Sequence, residues 1–199
     1  MAISLLPWYI ARSAGLVAWA LLTASVIWGL MFSTKASAFG RRPKLAWTLD
    51  LHRYLGGLAT IFMGVHIAGV VADSYLHFGW LAVLVPFAST WRPVAIAWGV
   101  VGLYLLVAVE VTSLARTRLP KKAWRAVHFA SFPLFVTATA HAFTAGTDTG
   151  TWLFEGVAVA AIVAIAALTG LRIEQASSPP AVPQRPRPTP SPARERVPA

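Results

Sequence analysis

"LHRYLGGLATIFMGVHIAG", residues 51–69, is a nearly unbroken apolar run with one cation, Arg53, and a histidine near each end, His52 and His66. The hydrocarbon core of a bilayer is roughly 30 Å thick and takes roughly 20 apolar residues to cross as a helix. The run therefore reads as most of a membrane span. Polar side chains are costly at that depth, and an ionisable group kept there is a functional-site hypothesis by default. Two questions follow: how many spans the chain has, and what its imidazoles face.

The 199 residues are 57% hydrophobic and only 12% charged, about half the charged fraction of an ordinary soluble domain, which is roughly 25%. An integral membrane protein is expected. Windows of spanning length bounded by charge lie at about 14–33, 49–71, 94–113, 123–143 and 151–171. None alternates apolar with polar residues as barrel strands do, and open strands cannot satisfy their backbone groups in lipid. The expected fold is all-α: a bundle of about five transmembrane helices over residues 1–171, without internal repeats, followed by a Pro/Arg-rich tail at 172–199.

The net charge of +10 invites a nucleic acid partner, but its distribution argues for the membrane. Lys35, Arg41, Arg42 and Lys44 separate the first two spans, and Arg116, Arg118, Lys121, Lys122 and Arg125 surround the link between the third and fourth. Arg172, Arg185, Arg187, Arg194 and Arg196 follow the fifth. Only Arg12 and Arg92 fall on the opposite side, with Asp73, Asp148 and Glu155. Cationic loops stay cytoplasmic, so a multi-pass protein of the cytoplasmic (plasma) membrane is expected, its amino terminus outside and its carboxy terminus inside. No nucleic acid is implied. The Ala-x-Ala of "KASAF", 35–39, resembles a signal-peptidase site, but cleavage there would leave "GRRPK" outside, so a retained first helix is expected. Absence of cysteine excludes disulfides, iron–sulfur clusters, thiolate ligation and C-x-x-C-H haem attachment.

Between the second and third spans lies a short apolar piece, 80–88, interrupted by Pro86, which reads as a lid or interfacial segment. Trp8, Trp47, Trp80, Trp91, Trp98, Trp124 and Trp152 fall near span ends or in that loop, as an aromatic belt would place them. The tail, rich in proline, serine and arginine, cannot bury enough surface to offset its ordering entropy and is expected to be disordered.

A second histidine pair, His128 and His141, lies on the fourth span, which runs parallel to the second. The intervals are 14 residues in one helix and 13 in the other, about 20 Å of rise each. His52 then shares a level with His128, and His66 with His141. Matched imidazoles at two depths are what two stacked bis-histidine haems b, held noncovalently, require. Gly56, Gly57, Gly64 and Gly69, with Ala130, Ala138 and Ala140, offer room for a flat macrocycle. An interval of 13 falls about 140° short of four turns in a regular helix, and Pro133 is the residue able to rewind it. Interhelical hydrogen bonding is the alternative use for each histidine. His77 reads as a surface residue of the outer loop. Glu110 reads as the partner of a nearby cation, or as a proton relay.

The fragments "LHRYLGGLATIFMGVH" and "HFASFPLFVTATAH", with "ARSAG" at 11–15, resemble the ferric reductase-like transmembrane domain shared by ferric reductases and NADPH oxidases. The resemblance implies two haems across the membrane on His52, His66, His128 and His141, with Arg12 and Arg53 near their carboxylates; Arg42 and Arg125 are further inner candidates. Lipid anchoring is the alternative for these arginines. The family's additional first helix is not expected here, nor a flavin- and nicotinamide-binding domain after residue 171, since no G-x-G-x-x-G follows a strand. The chain is thus similar to stand-alone haem subunits, such as the membrane partner of periplasmic methionine sulfoxide reductase. Such a subunit takes electrons from a cytoplasmic flavoprotein or quinol, the flavin or quinone being supplied by a partner, and delivers them to an outer redox protein, ferric iron or another acceptor. The competing readings are a quinol-linked cytochrome b subunit of a dehydrogenase and a cofactor-free scaffold or transporter.

Overall fold

The structure of the chain, a computed structural model, describes residues 5–34, 45–74 and 78–177. Its elements are helices: α1 Leu6–Ser33, α2 Leu45–Ala72, α3 Trp80–Leu84, α4 Pro93–Leu114, α5 Lys121–His128, α6 Ser131–Ala145 and α7 Trp152–Ser177. Five stretches are long and apolar enough to cross a membrane, with α5 and α6 together forming the fourth. The chain is a multi-pass, all-α membrane protein. His77, Lys35, Arg41, Arg42, Lys44, the "KASAF" site and residues 178–199 lie outside the described residues.

Two helix ends differ from the sequence expectation. α1 starts at Leu6 and not near 14; Pro7 occupies its first turn, where a missing N–H leaves no bond unmade. α7 runs on to Ser177, so residues 172–177, which read as the start of the tail, are helical. Arg172, Glu174 and Gln175 are good helix formers, and the first proline comes only at Pro179.

The fourth span is interrupted directly after His128. Phe129 and Ala130 form a turn, and Pro133 has no N–H to return to Phe129. Phe132 N–H bonds the Phe129 carbonyl instead at 3.2 Å, and Ala130 N–H bonds that of Val127 at 2.9 Å. Both are three-residue steps. A tighter turn of 3.0 residues overwinds the chain by about 20° per residue, in the direction that offsets the shortfall of a 13-residue interval.

α1 and α2 form one antiparallel hairpin, and α4 packs on α6 to form the other; α1 also touches α6 and α7. Leu22, Val26, Leu30, Ala59, Leu106, Leu134, Phe135, Ala161 and Ile165 make the shared core. Trp19 Nε1 donates to Thr139 Oγ1 at 3.0 Å across α1 and α6, and Trp28 Nε1 to the Thr48 carbonyl at 3.1 Å across α1 and α2. Ile61, Val107 and Val163 face outward. Lipid is as apolar as these side chains, so close packing and interhelical hydrogen bonds, more than burial, hold such a bundle together.

Candidate functional site

The hairpins bring the four span histidines into two facing pairs. The rings of His52 and His128 have centres 5.9 Å apart and planes at 75°; those of His66 and His141 are 6.3 Å apart at 81°. A histidine–metal bond is about 2 Å long, so two imidazoles on opposite sides of one metal have ring centres roughly 6 Å apart. Both pairs match that spacing.

Each ring is oriented through Nδ1. His66 Nδ1 lies 2.7 Å from the Ala11 carbonyl, His141 Nδ1 2.8 Å from that of Ala95, and His52 Nδ1 3.0 Å from that of Ser25. A carbonyl only accepts, so each of these neutral rings carries its proton on Nδ1 and keeps the Nε2 lone pair free. These are the outer-shell bonds that orient metal-binding histidines.

The reason those carbonyls are reachable lies four residues further along each helix. A helical carbonyl at i bonds the N–H of i+4 and has a lone pair to spare, but the i+4 side chain covers it. Residue i+4 is Gly15 after Ala11, Gly29 after Ser25 and Gly99 after Ala95. A Cβ at Gly15 would stand 2.7 Å from His66 Nδ1, one at Gly99 2.8 Å from His141 Nδ1, and one at Gly29 3.2 Å from His52 Cε1. The repeated signal is "ARSAG", "SVIWG" and "AIAWG": a small residue, three others, then glycine. Sequence reasoning missed it, because it searched the histidine-bearing helices for room. There, Gly57 and Gly64 have nothing within 4 Å of an added Cβ, and Gly69 packs on the Ala11 backbone. His128 departs from the pattern: its Nδ1 contacts Ser113 Oγ at 3.4 Å, and position 117 is threonine.

A cavity opens at each level, about 280 Å³ at His66 and about 640 Å³ at His52. Leu22, Ala59, Leu106 and Leu134 line both and form the apolar partition between them. Arg12 lines the first cavity and makes a two-pronged pair with Asp148, its Nε donating to Oδ2 at 2.9 Å and its second nitrogen bonding Oδ1. The Arg12 guanidinium also lies 5.2 Å from the Trp8 ring centre. Its hydrogen bond holds the Asp148 carboxyl below the usual carboxylate range. Asp148 had been read only as an outer charge, since its partner is 136 residues away.

Arg53 and Arg125 line the second cavity with Arg116 and Arg172. Arg53 approaches Asp50 at 3.9 Å, both side chains largely exposed. Glu110 faces the same cavity beside Gly56, and among the described residues no ion pair to it is present. Trp124, read as part of an aromatic belt, instead stacks on His128 at 5.1 Å and 26°, its Nε1 buried without a hydrogen bond among the described residues. Trp80 and Trp152 are exposed as a belt requires.

Among the described residues no group of three or more His, Cys, Asp or Glu side chains can hold a bare metal ion. Two imidazoles alone suit a metal whose remaining positions are filled by a planar ligand of its own, and an apolar cavity wall with an arginine at its edge suits a macrocycle bearing carboxylates. The donor set therefore fits haem.

Residues 14–139 match the family described as ferric reductase like transmembrane component. The chain belongs to this family. The matched ferric reductase-like region includes His52, His66 and His128, and His141 lies just beyond its end. Domains of this family generally bind haem, and membership makes the chain, in general terms, a transmembrane electron-transfer component. No curated protein and no solved structure gives a significant match.

Proposed function

We propose that this ferric reductase-like chain is a di-haem b protein that carries electrons from the cytoplasmic to the outer face of the plasma membrane. The observation that carries the reading is the pair of facing imidazoles at each of two levels, 5.9 and 6.3 Å apart. Haem bound at each level supplies a one-electron iron couple. His52 and His128 hold the inner group, and His66 and His141 the outer one.

The remaining parts are the chain's own. The carbonyls of Ala11, Ser25 and Ala95 keep three Nε2 lone pairs directed to metal. Arg12 and Arg53, which line the two cavities, are the carboxylate partners. Leu22, Ala59, Leu106 and Leu134 set an apolar wall between the levels, which disfavours water and a proton path there while electrons cross. With two imidazoles holding each haem, no coordination position would be left for substrate while both stay bound, so the outer acceptor, a redox protein or ferric iron, would react at the edge of the site. The donor is a cytoplasmic flavoprotein or a quinol. Glu110, which lines the inner cavity and has no ion pair among the described residues, favours quinol, which must shed protons as it loses electrons.

Purified protein is expected to contain two haems per chain by pyridine haemochrome and to give a dithionite-reducible low-spin b-type spectrum. His66→Phe and His52→Phe are each expected to lose one. A haem-free preparation from haem-sufficient cells would overturn the reading. Reduction by quinol, against reduction only through a flavoprotein, distinguishes the donors.

A further inference from the structure

Three of the four histidines have a carbonyl at Nδ1, and His128 has a hydroxyl. The difference is chemical. A carbonyl oxygen admits only the Nδ1–H tautomer, whereas a serine hydroxyl accepts from Nδ1–H or donates to bare Nδ1 with equal ease. His52 also has a serine near, Ser25 Oγ at 3.2 Å, but keeps the Ser25 carbonyl at 3.0 Å. For His128 the hydroxyl is the only hydrogen-bonding partner at Nδ1 among the described residues, and the contact is the longest of the set.

Further observations bear on the same residue. His128 is the last residue of α5, and the chain turns at once through Phe129 and Ala130. Ser113 lies in the last turn of α4, where its carbonyl takes the Arg116 N–H at 3.4 Å, and among the described residues no carbonyl reaches His128 Nδ1 in place of the hydroxyl. The face of Trp124 stacks on the ring at 5.1 Å. The cavity that His128 shares with His52 is the larger of the two, about 640 Å³.

We propose that Ser113 is a positioning residue for His128, and that the His52–His128 site is the one of the two whose sixth coordination position can open to a small ligand. The inference rests on the di-haem reading. With Nε2 turned toward a metal the His128 proton would sit on Nδ1, and Ser113 Oγ would accept it, orienting the ring and raising its donor strength; without that contact the ring is held less firmly and its bond to the metal weakens.

The test uses full-length protein in detergent, with carbon monoxide as the probe. Wild type is expected to hold two haems, both low-spin by EPR, and to bind no carbon monoxide when reduced. Ser113→Ala is expected to keep two haems while one turns partly high-spin, binds carbon monoxide, and shifts to a more positive midpoint potential. Ser113→Thr is expected to restore all three readouts. Loss of one haem in Ser113→Ala that Ser113→Thr restores supports the proposal equally; loss that it does not restore overturns it. Two haems with wild-type spin state, potentials and carbon monoxide behaviour in Ser113→Ala overturn it while leaving the di-haem reading standing. A wild type without haem removes both.

Discussion

The two histidine levels look alike in sequence and are built differently. At the His66 level the backbone does the holding: two carbonyls accept from the rings, and two glycines let the rings reach them. At the His52 level one ring has a carbonyl and a serine, the other, among the described residues, a serine and a stacked tryptophan, and the cavity is more than twice as large. Backbone contacts cannot be edited by changing the residue that makes them, but they fail when a neighbouring glycine gains a side chain. Side-chain contacts have the opposite weakness.

The largest effects should therefore come from adding single methyl groups at the His66 level. Gly15→Ala and Gly99→Ala place a Cβ within 2.8 Å of a pinned ring nitrogen, and each is expected to cut haem content from two per chain to one. Gly29→Ala, at 3.2 Å from a ring carbon, should lower occupancy only in part, and Gly57→Ala, with open space around it, should not lower it. Pyridine haemochrome assays read all four. Full haem in Gly15→Ala would mean that the ring is not pinned as described.

Next in size is the partition that separates the levels. Leu134 is only 2% exposed and belongs to both cavity walls. Leu134→Ala is expected to cost about 2–5 kcal/mol, as buried leucine truncations do, and to join the cavities. Thermal unfolding in detergent checks the first effect. Altered spectra at both levels, and not at one, would mark the second.

A smaller effect is expected at the Arg12–Asp148 clasp beside the His66 cavity. Asp148→Asn should cost about 1 kcal/mol, the upper end for an ion pair near a surface, since the Arg12 side chain is 36% exposed. Because Asp148 titrates below its ordinary value when folded, its contribution is complete above the unfolded aspartate value of about 3.9. It is lost as pH falls through the lower folded value. The melting-temperature gap between wild type and Asp148→Asn should thus be full at neutral pH and close in acid. A gap unchanged in acid would show that the charge is not its source.

The smallest change is expected from the ion pair at the other level. Arg53 meets Asp50 at 3.9 Å with side chains 54% and 73% exposed, so Asp50→Asn should alter stability by no more than about 0.5 kcal/mol. A larger loss would reveal a structural role for that pair at the His52 level.

Much of this architecture could be read from the chain alone. Hydropathy windows located the five spans, because twenty consecutive apolar side chains have few other stable surroundings. The depth of each histidine followed from helical rise, a local property, and so did the pairing of levels. Azimuth was different. Whether a 13-residue interval lets His128 and His141 both face α2 depends on how Phe129, Ala130 and Pro133 break the regular winding, which no fixed periodicity describes.

What only the tertiary structure decided is the set of partners. Ala11, Ser25 and Ala95 act through carbonyls that every residue possesses, so nothing in their side chains announces them; they matter because α1 and α4 lie against the histidines at those turns. Asp148 reaches Arg12 from the far end of the chain, and Trp124 left the belt for a place against His128. Apolar content and spacing are summed along a helix and survive in one dimension. A hydrogen bond between helices is a relation between surfaces, and it exists only once the hairpins have closed on each other.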